Sequence, residues 1–170
     1  MRKLLILLAM VACLAVTAHA HGGLIKTFGS WHCVTTQDKM DDSRHFFIIS
    51  YSTTEPSNML FDRGKCALTP NGDVDIGAGQ HIQLKPELNG WASIRLRFDK
   101  KDPESFKGVT GSEGKWVLLP ASKYPNLSEK FKKHNRLLFE FEPMFEGGSK
   151  VLEYNLNGFT KAYQWLQKQN

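Results

Sequence analysis

The residues best suited to metal chemistry lie near the amino terminus, where His19, Ala20 and His21 follow an apolar segment. If the chain is cleaved after Ala20, His21 becomes the first residue, and its free amine and imidazole form a chelate for copper(II). Cleavage after Ala18 would instead create a His-Ala-His terminus, which also favours this ion. Nitrogen ligands in tetragonal geometry suit copper(II). The residues therefore predict a copper site at His21 as one function, and an incidental histidine tail as the ordinary explanation.

A working copper site needs a further ligand from the rest of the chain. The other histidines are scattered without ligand spacing: His32, His45, His81 and His134. The sequence therefore predicts no resident cofactor, with copper at His21 as the alternative.

The cysteines carry a second kind of chemistry. Cys13 lies in the apolar segment and leaves with it, unless it is the acylated residue of a lipoprotein. Cys33 and Cys66 remain, an even number in a compartment that permits disulfides. We expect a disulfide between them, which would stabilise the fold by about 3–4 kcal/mol in the chain-entropy model. The alternative is a reactive thiol at Cys33 with His32 as its base, but neighbouring strand residues point to opposite faces.

Oxygen-bearing side chains alternate at Asn71, Asp73 and Asp75, before Gly77. This spacing faintly suggests a calcium loop. An EF-hand has its glycine one position earlier and ends in glutamate, and this segment has neither feature. Such residues also form turns readily, so the segment is predicted to be a hairpin turn.

Acidic residues, an arginine and a histidine come together at Asp41, Asp42, Arg44 and His45, just before an apolar run. A hydrolase built on them would need a serine nucleophile, and the sequence contains no G-x-S-x-G motif. Nor does the sequence single out the paired carboxylates of a glycosidase. We predict no catalytic residues, and solvated charges at the start of a strand explain this group.

The densest basic segment spans residues 130–136. Its cations are Lys130, Lys132, Lys133 and Arg136, with His134 among them. Such a cluster can contact anionic lipid, glycan or nucleic acid. A solvated helix face is the ordinary explanation, because Leu127 and Phe131 lie four residues apart and supply the buried side.

Residues 1–20 have the organisation of a secretory signal peptide. Two cations precede a short apolar run, and small residues at positions 18 and 20 match what a signal peptidase reads. An apolar run this short, followed directly by polar sequence, predicts a signal rather than a membrane span. We therefore expect a cleaved signal and a single domain over residues 21–170, located in the periplasm or secreted.

The charge balance limits the kinds of partner. The 170-residue chain has 22 Lys and Arg against 17 Asp and Glu, and losing Arg2 and Lys3 with the signal leaves 20 against 17, or +3. That excess is too mild to indicate nucleic acid. The remaining length suits one domain with a real hydrophobic core.

Short strands separated by turns dominate the pattern after residue 21. Apolar and polar residues alternate strictly over residues 91–99, which is typical of an antiparallel strand with one solvated face. A continuous apolar run within residues 45–52 predicts a strand buried on both faces. Further strands are predicted at residues 29–35, 65–69, 74–76, 115–119, 137–142 and 151–156.

Two segments keep the helical spacing of apolar residues, 126–134 and 159–167. The predicted fold class is mainly β, a single β-sandwich-like domain of antiparallel strands with a short inserted helix and a C-terminal helix.

Several motifs resemble small periplasmic proteins. Phe28-Gly29-Ser30-Trp31, followed by Cys33, resembles the opening of the invasion-associated locus B proteins. Met40-Asp41-Asp42-Ser43 and Ile94-Arg95-Leu96-Arg97-Phe98-Asp99 resemble VasI-type proteins, which are associated with type VI secretion. The closing section is similar to both groups, through Phe141-Glu142-Pro143 and then Tyr154-Asn155-Leu156-Asn157-Gly158-Phe159. The resemblance implies a periplasmic β-sandwich from a Gram-negative bacterium, with no established catalytic site.

Together these observations predict an exported, non-enzymatic accessory protein that binds a protein partner in the bacterial envelope or its secretion machinery. We expect neither nucleic acid as a partner nor a transmembrane span after cleavage. A weaker alternative is an enzyme that acts on glycan or peptidoglycan. The predicted partner-binding residues are cations of one strand and of the basic segment: Arg95, Arg97, Lys130, Lys132, Lys133 and Arg136.

Overall fold

The computed structural model describes residues 23–38, 40–54, 63–79, 82–111 and 113–169. The strands in these residues are β1 (Gly23–Phe28), β2 (Trp31–Gln37), β3 (Arg44–Tyr51), β4 (Lys65–Leu68), β5 (Val74–Gly77), β6 (Trp91–Phe98), β7 (Glu104–Thr110), β8 (Trp116–Leu119), β9 (Arg136–Phe141) and β10 (Lys150–Asn155). The helices are α1 (Leu127–Lys133) and α2 (Phe159–Leu166). Two short 3-10 segments cover Leu88–Gly90 and Gln167–Gln169.

The strands form one antiparallel sheet in the order β1-β2-β3-β4-β5-β8-β7-β6-β9-β10. The sheet folds over so that its parts face each other across the core. The Tyr154 hydroxyl of β10 donates a hydrogen bond to the Gly77 carbonyl of β5 (3.1 Å), and Thr53 N–H donates to Glu153 O (2.8 Å). The predicted β-sandwich-like domain with an inserted and a C-terminal helix is therefore confirmed.

β6 shows why the alternating pattern selects a strand. Ala92, Ile94 and Leu96 are buried on the inner face, while Ser93 and Arg95 point outward. Burying each large aliphatic side chain contributes about 1.5–3 kcal/mol. A shift of one residue would expose this whole set, so the alternation also fixes the register.

Both helices lie against the inner face of the sheet. Phe131 of α1 lies 5.6 Å from Phe98 of β6 and 5.2 Å from Phe159 of α2, and Trp31 of β2 lies 5.0 Å from Phe159, as measured between ring centroids. This aromatic cluster closes one end of the core. The two helices predicted from sequence are confirmed.

Two strands, β1 and β7, are missing from the sequence prediction. β1 lies at the edge of the sheet and buries little, so it has no strong alternation. β7 buries only Phe106 and Gly108, and a Cβ at Gly108 would overlap the backbone of Leu118 and the side chain of Val117. The sequence pattern does not predict β7, because Gly108 occupies a buried position where a large apolar residue is expected.

Candidate functional site

The cations predicted to bind a partner lie on two different sides of the sheet. Arg95 and Arg97 belong to the outward face of β6, where they alternate with buried residues. Phe98 points inward and contacts Phe131 of α1, so α1 lies on the opposite side of β6 from Arg97. The structure therefore does not bring the strand cations and the helix cations into one continuous surface.

Most of these cations are already paired with carboxylates. Arg95 Nη1 lies 3.1 Å from Glu140 Oε2, and Arg136 Nη1 lies 3.6 Å from Glu153 Oε2. On α1, Lys130 forms an ion pair with Glu104, and Lys132 Nζ lies 2.6 Å from Glu129 Oε1. Among the described residues, Arg97 and Lys133 form no ion pair. The predicted basic surface is therefore largely neutralised, and its role in partner binding stays a prediction.

The disulfide expected between Cys33 and Cys66 is not formed, which corrects the sequence prediction. Both thiols are free and buried. Cys33 of β2 pairs with Ile48 and Cys66 of β4 pairs with Ser50, so β3 lies between them. Two strand spacings amount to about 9.5 Å, whereas a disulfide holds its Cα atoms within about 7 Å.

The thiols are also poorly suited to nucleophilic chemistry. Burial raises the pKa of Cys33 to about 11, with a smaller opposing effect from Lys26. Burial, and then the negative charge of Asp75, raise the pKa of Cys66 well above its usual value. Because the thiolate is the reactive form, both side chains act as small apolar groups.

The described residues contain no group of three or more His, Cys, Asp or Glu side chains arranged to hold a metal ion. His21 and His81 lie outside the described residues, so the copper site at His21 stays a prediction. The first part of the segment with the calcium-like spacing forms the predicted hairpin turn between β4 and β5, where Gly72 N–H donates to Thr69 O at 3.0 Å, whereas Asp75 and Gly77 belong to β5. Asp73 Oδ1 accepts a hydrogen bond from Ala121 N–H at 2.8 Å.

Asp99 and His134 form a tightly built polar cluster at the end of β6. His134 Nδ1 lies 2.8 Å from Asp99 Oδ2, and Asp99 Oδ1 accepts from the N–H groups of Asn135 and Arg136. Burial acts to raise the pKa of Asp99, but these hydrogen bonds outweigh it and hold the pKa below its usual value. The cluster anchors the chain between α1 and β9, so its role is structural.

A groove crosses the outward face of β3, β4, β5 and β8. We call it the strand-face groove, and its first part has a volume of about 390 Å³. Its floor and wall are formed by Phe47, Ile49, Ala67, Asp75, Gly77 and Trp116. Its charged rim is formed by Arg63, Lys65, Glu113 and Lys115. A second cavity of about 580 Å³ shares Phe47, Ala67 and Asp75 with the first, so the depression continues along β3.

Strand pairing explains why the floor of this groove is apolar. Ile49 pairs with Ala67, Ala67 pairs with Asp75, and Asp75 pairs with Leu118, which makes one row across four strands. Ile49 is only 8% exposed although it points outward. The outward face of an antiparallel sheet is usually polar. This row is apolar except for a single carboxylate.

Asp75 is the chemically unusual residue of the row. Its Oδ1 is buried and has no hydrogen-bond partner among the described residues. Burial raises the pKa of this carboxyl group to about 6. A carboxylate in this position gains free energy from any hydrogen-bond donor or cation that reaches it.

The rim is charged but does not neutralise Asp75. Lys115 Nζ lies 2.7 Å from Glu113 Oε2 and is therefore engaged at the rim. Lys65 pairs in register with Gly77, which lies two residues along β5 from Asp75 and on the same face. Gly77 has no side chain, which leaves the space between Lys65 and Trp116 open. The groove thus combines an apolar floor, an acidic centre and a mainly basic rim.

The sequence pattern does not reveal this groove. It places Asp75 among turn-forming residues and within a short strand at residues 74–76, and it places Phe47 and Ile49 in a strand buried on both faces. The alternation Val74-Asp75-Ile76 places Asp75 on the strand face opposite the two apolar residues, but it does not show what covers that face. A carboxylate within a β-strand can be solvated or enclosed, and only the neighbouring strands decide which.

No protein-family model matches the chain, and no curated protein matches it in sequence. A crystal structure of invasion associated protein B from Bartonella henselae has a similar fold. The TM-score is 0.56 over 86% of this chain and 98% of that chain, at 17% sequence identity. At this identity the likeness concerns the fold alone. The resemblance to invasion-associated locus B proteins is therefore confirmed for the fold, whereas the likeness to VasI-type proteins stays a prediction.

Neither α1 nor α2 is long and apolar enough to cross a membrane, and the described residues include no other α-helix.

Proposed function

We propose that this protein is exported and acts as a non-enzymatic accessory protein of the bacterial envelope, binding a protein partner through the strand-face groove. The observation that carries the proposal is the apolar row through Ile49, Ala67 and Leu118 on a sheet face that usually contacts water. A groove with an apolar floor and a few polar groups is the usual form of a binding site.

Export is supported by the organisation of residues 1–20, which matches a secretory signal peptide. An envelope role is supported by the fold, which resembles that of a protein named for its association with invasion. The charged, mainly basic rim would add specificity for the partner, because charges at the rim of an interface affect the choice of partner and the association rate more than the affinity.

Site-specific photo-crosslinking in the native host tests this proposal. A photoreactive benzoylphenylalanine replaces Lys65 on the rim, and a second protein carries it at Lys100, in the turn after β6 and away from the groove. We expect one adduct of defined mass from position 65 and none from position 100. Ala67→Trp, which fills the floor, should abolish the adduct from position 65 and leave the melting temperature nearly unchanged.

Two results would contradict the groove as the binding surface. An adduct at position 65 that persists in Ala67→Trp would mean that the floor is not involved. Adducts from positions 97 and 133 without one from position 65 would favour the basic residues predicted from sequence.

Copper binding at His21 is the second proposal, and it rests on the histidine that cleavage after Ala20 would expose. The amine and the imidazole of one residue chelate copper(II) only while that residue is first in the chain. We expect one-to-one copper binding to the protein that begins at His21, and its loss when one alanine is added before His21. Equal affinity of the two proteins would exclude this site.

A further inference from the structure

Asp75 occupies an unfavourable place for a carboxylate. Its cross-strand neighbours on the outward face are Ala67 and Leu118, and neither offers a hydrogen bond from its side chain. Leaving a buried polar atom without a partner is unfavourable, because the hydrogen bonds it made to water are lost and none replaces them. Oδ1 itself is covered, but Asp75 lines both parts of the groove, so a group that enters the groove can reach this carboxylate.

Charged groups surround the carboxylate at a distance without pairing with it. Arg44 and His45 of β3 line the far cavity, and Asp73 precedes β5. Lys65 of β4 lies at the rim, and Lys115, before β8, is paired with Glu113. Among the described residues no cation forms an ion pair with Asp75. The carboxylate of Asp75 therefore has apolar cross-strand neighbours on its own face, and the charged side chains lie further away along the groove.

We propose that the strand-face groove receives a basic side chain of the protein partner, with the cationic head at Asp75 and the aliphatic stem along Ile49 and Ala67. This inference rests on the proposed function, since it names what the partner inserts. Lysine and arginine side chains bury their apolar stems along apolar surface while their charged heads seek a polar group. The apolar floor of the groove would contact the stem of such a side chain, and the carboxylate of Asp75 would contact its charged head.

Other occupants fit the groove less well. An anionic group would be attracted to rim cations such as Lys65, but on the floor of the groove it would face the carboxylate of Asp75 and lose energy by repulsion. A purely apolar side chain would cover the part of the Asp75 carboxylate that still lines the groove without offering a hydrogen bond, and a buried carboxylate without a partner is strongly unfavourable. A basic side chain satisfies the acceptor and covers the floor at the same time.

The test uses the mature protein and three capped pentapeptides: Ala-Ala-Lys-Ala-Ala, its norleucine analogue and its glutamate analogue. Norleucine keeps the aliphatic stem and removes the charge. Backbone amide chemical shifts report binding at pH 7.5. We expect the lysine peptide to shift residues of β3, β4 and β5, and the norleucine and glutamate peptides to bind at least about tenfold more weakly, as for a lost hydrogen bond to a charged group.

Two variants identify the group responsible. Asp75→Asn should weaken the lysine peptide to the level of the norleucine peptide and leave the norleucine peptide unchanged. Glu142→Gln makes the same charge change away from the groove, where Glu142 pairs with Lys85, and should leave all affinities unchanged.

The inference fails if the lysine and norleucine peptides bind equally, if neither binds, or if Asp75→Asn has no effect. This failure is distinguishable from failure of the proposed function. A crosslink at position 65 that Ala67→Trp abolishes would leave the groove as the binding surface even if the lysine peptide does not bind.

Discussion

Gly29 and Gly158 lie back to back where the turn between β1 and β2 meets the start of α2. Ser30 N–H donates a hydrogen bond to Asn157 O at 3.0 Å, which draws the two segments together. A Cβ at Gly158 would overlap the Phe28 carbonyl, and a Cβ at Gly29 would overlap Asn157 O. The φ angle is +58° at Gly29 and +90° at Gly158, and glycine adopts such positive values without strain. Two of the motifs that gave the family resemblance, residues 28–31 and 154–159, thus meet in a single contact.

Gly158→Ala is expected to lower the free energy of unfolding by about 2–4 kcal/mol, because it adds backbone strain and a steric overlap in one step. Urea denaturation measures this loss. Two controls in the β9–β10 turn separate the causes. Gly148→Ala has a similar φ of +84° but open space, so it should show the strain alone, about 1 kcal/mol. Gly147 has neither a positive φ nor a close contact, so Gly147→Ala should leave the free energy of unfolding unchanged. A loss at Gly158 no larger than that at Gly148 would exclude the close contact.

Asp75 makes the stability depend on pH in an unusual direction. The folded protein holds this proton up to about pH 6, whereas the usual pKa of aspartate is 3.8. The stabilising contribution of the protonated group is therefore fully present below the unfolded pKa and is lost as the pH rises through about 6. We expect Asp75→Asn to be more stable than the natural protein by about 3 kcal/mol at pH 7.5 and nearly equal to it near pH 3.8.

Urea denaturation of both proteins between pH 3.8 and pH 7.5 measures this difference. A constant difference across that range would mean that Asp75 titrates normally. Asp73→Asn is a poor control, because Asp73 accepts a hydrogen bond from Ala121 N–H. Glu142→Gln on a solvated face is the matched control and should show no pH-dependent gain.

The two cysteines are expected to remain as thiols in the exported protein, because β3 separates Cys33 from Cys66. The intact mass should not change on reduction, and the melting temperature should be the same with and without dithiothreitol. Alkylation of the native protein should be slow and should become fast in denaturant, since both thiols are buried. A mass two hydrogens lower before reduction would restore the disulfide predicted from sequence.

Charge reversal on β6 separates the two proposed contact surfaces. Arg95→Glu loses its ion pair with Glu140 and places two carboxylates on adjacent strands, which should cost about 0.5–1 kcal/mol. Arg97→Glu should leave stability unchanged, because no described residue pairs with Arg97. We expect neither change to reduce the crosslink from position 65. Loss of that crosslink in Arg97→Glu would instead support the surface predicted from sequence.

The sequence by itself determined which segments form strands and helices wherever the pattern is strong. The alternation in β6 and the helical spacing in α1 and α2 are local, and each buries one face of its own element. The Asn71-Gly72 turn between β4 and β5 was equally clear, because turn chemistry depends on adjacent residues. β7 escaped detection since its buried glycine is explained only by the neighbouring β8.

Only the tertiary structure decided how these elements meet, because strand order depends on contacts between residues far apart in the chain. Placing β8 beside β5 encloses Asp75 between Ala67 and Leu118, and placing β3 between β2 and β4 keeps the cysteines apart. Folding α1 onto the inner face separates its lysines from Arg97. Periodicity assigns a residue to a face of its own strand, but the residues that share this face come from other strands.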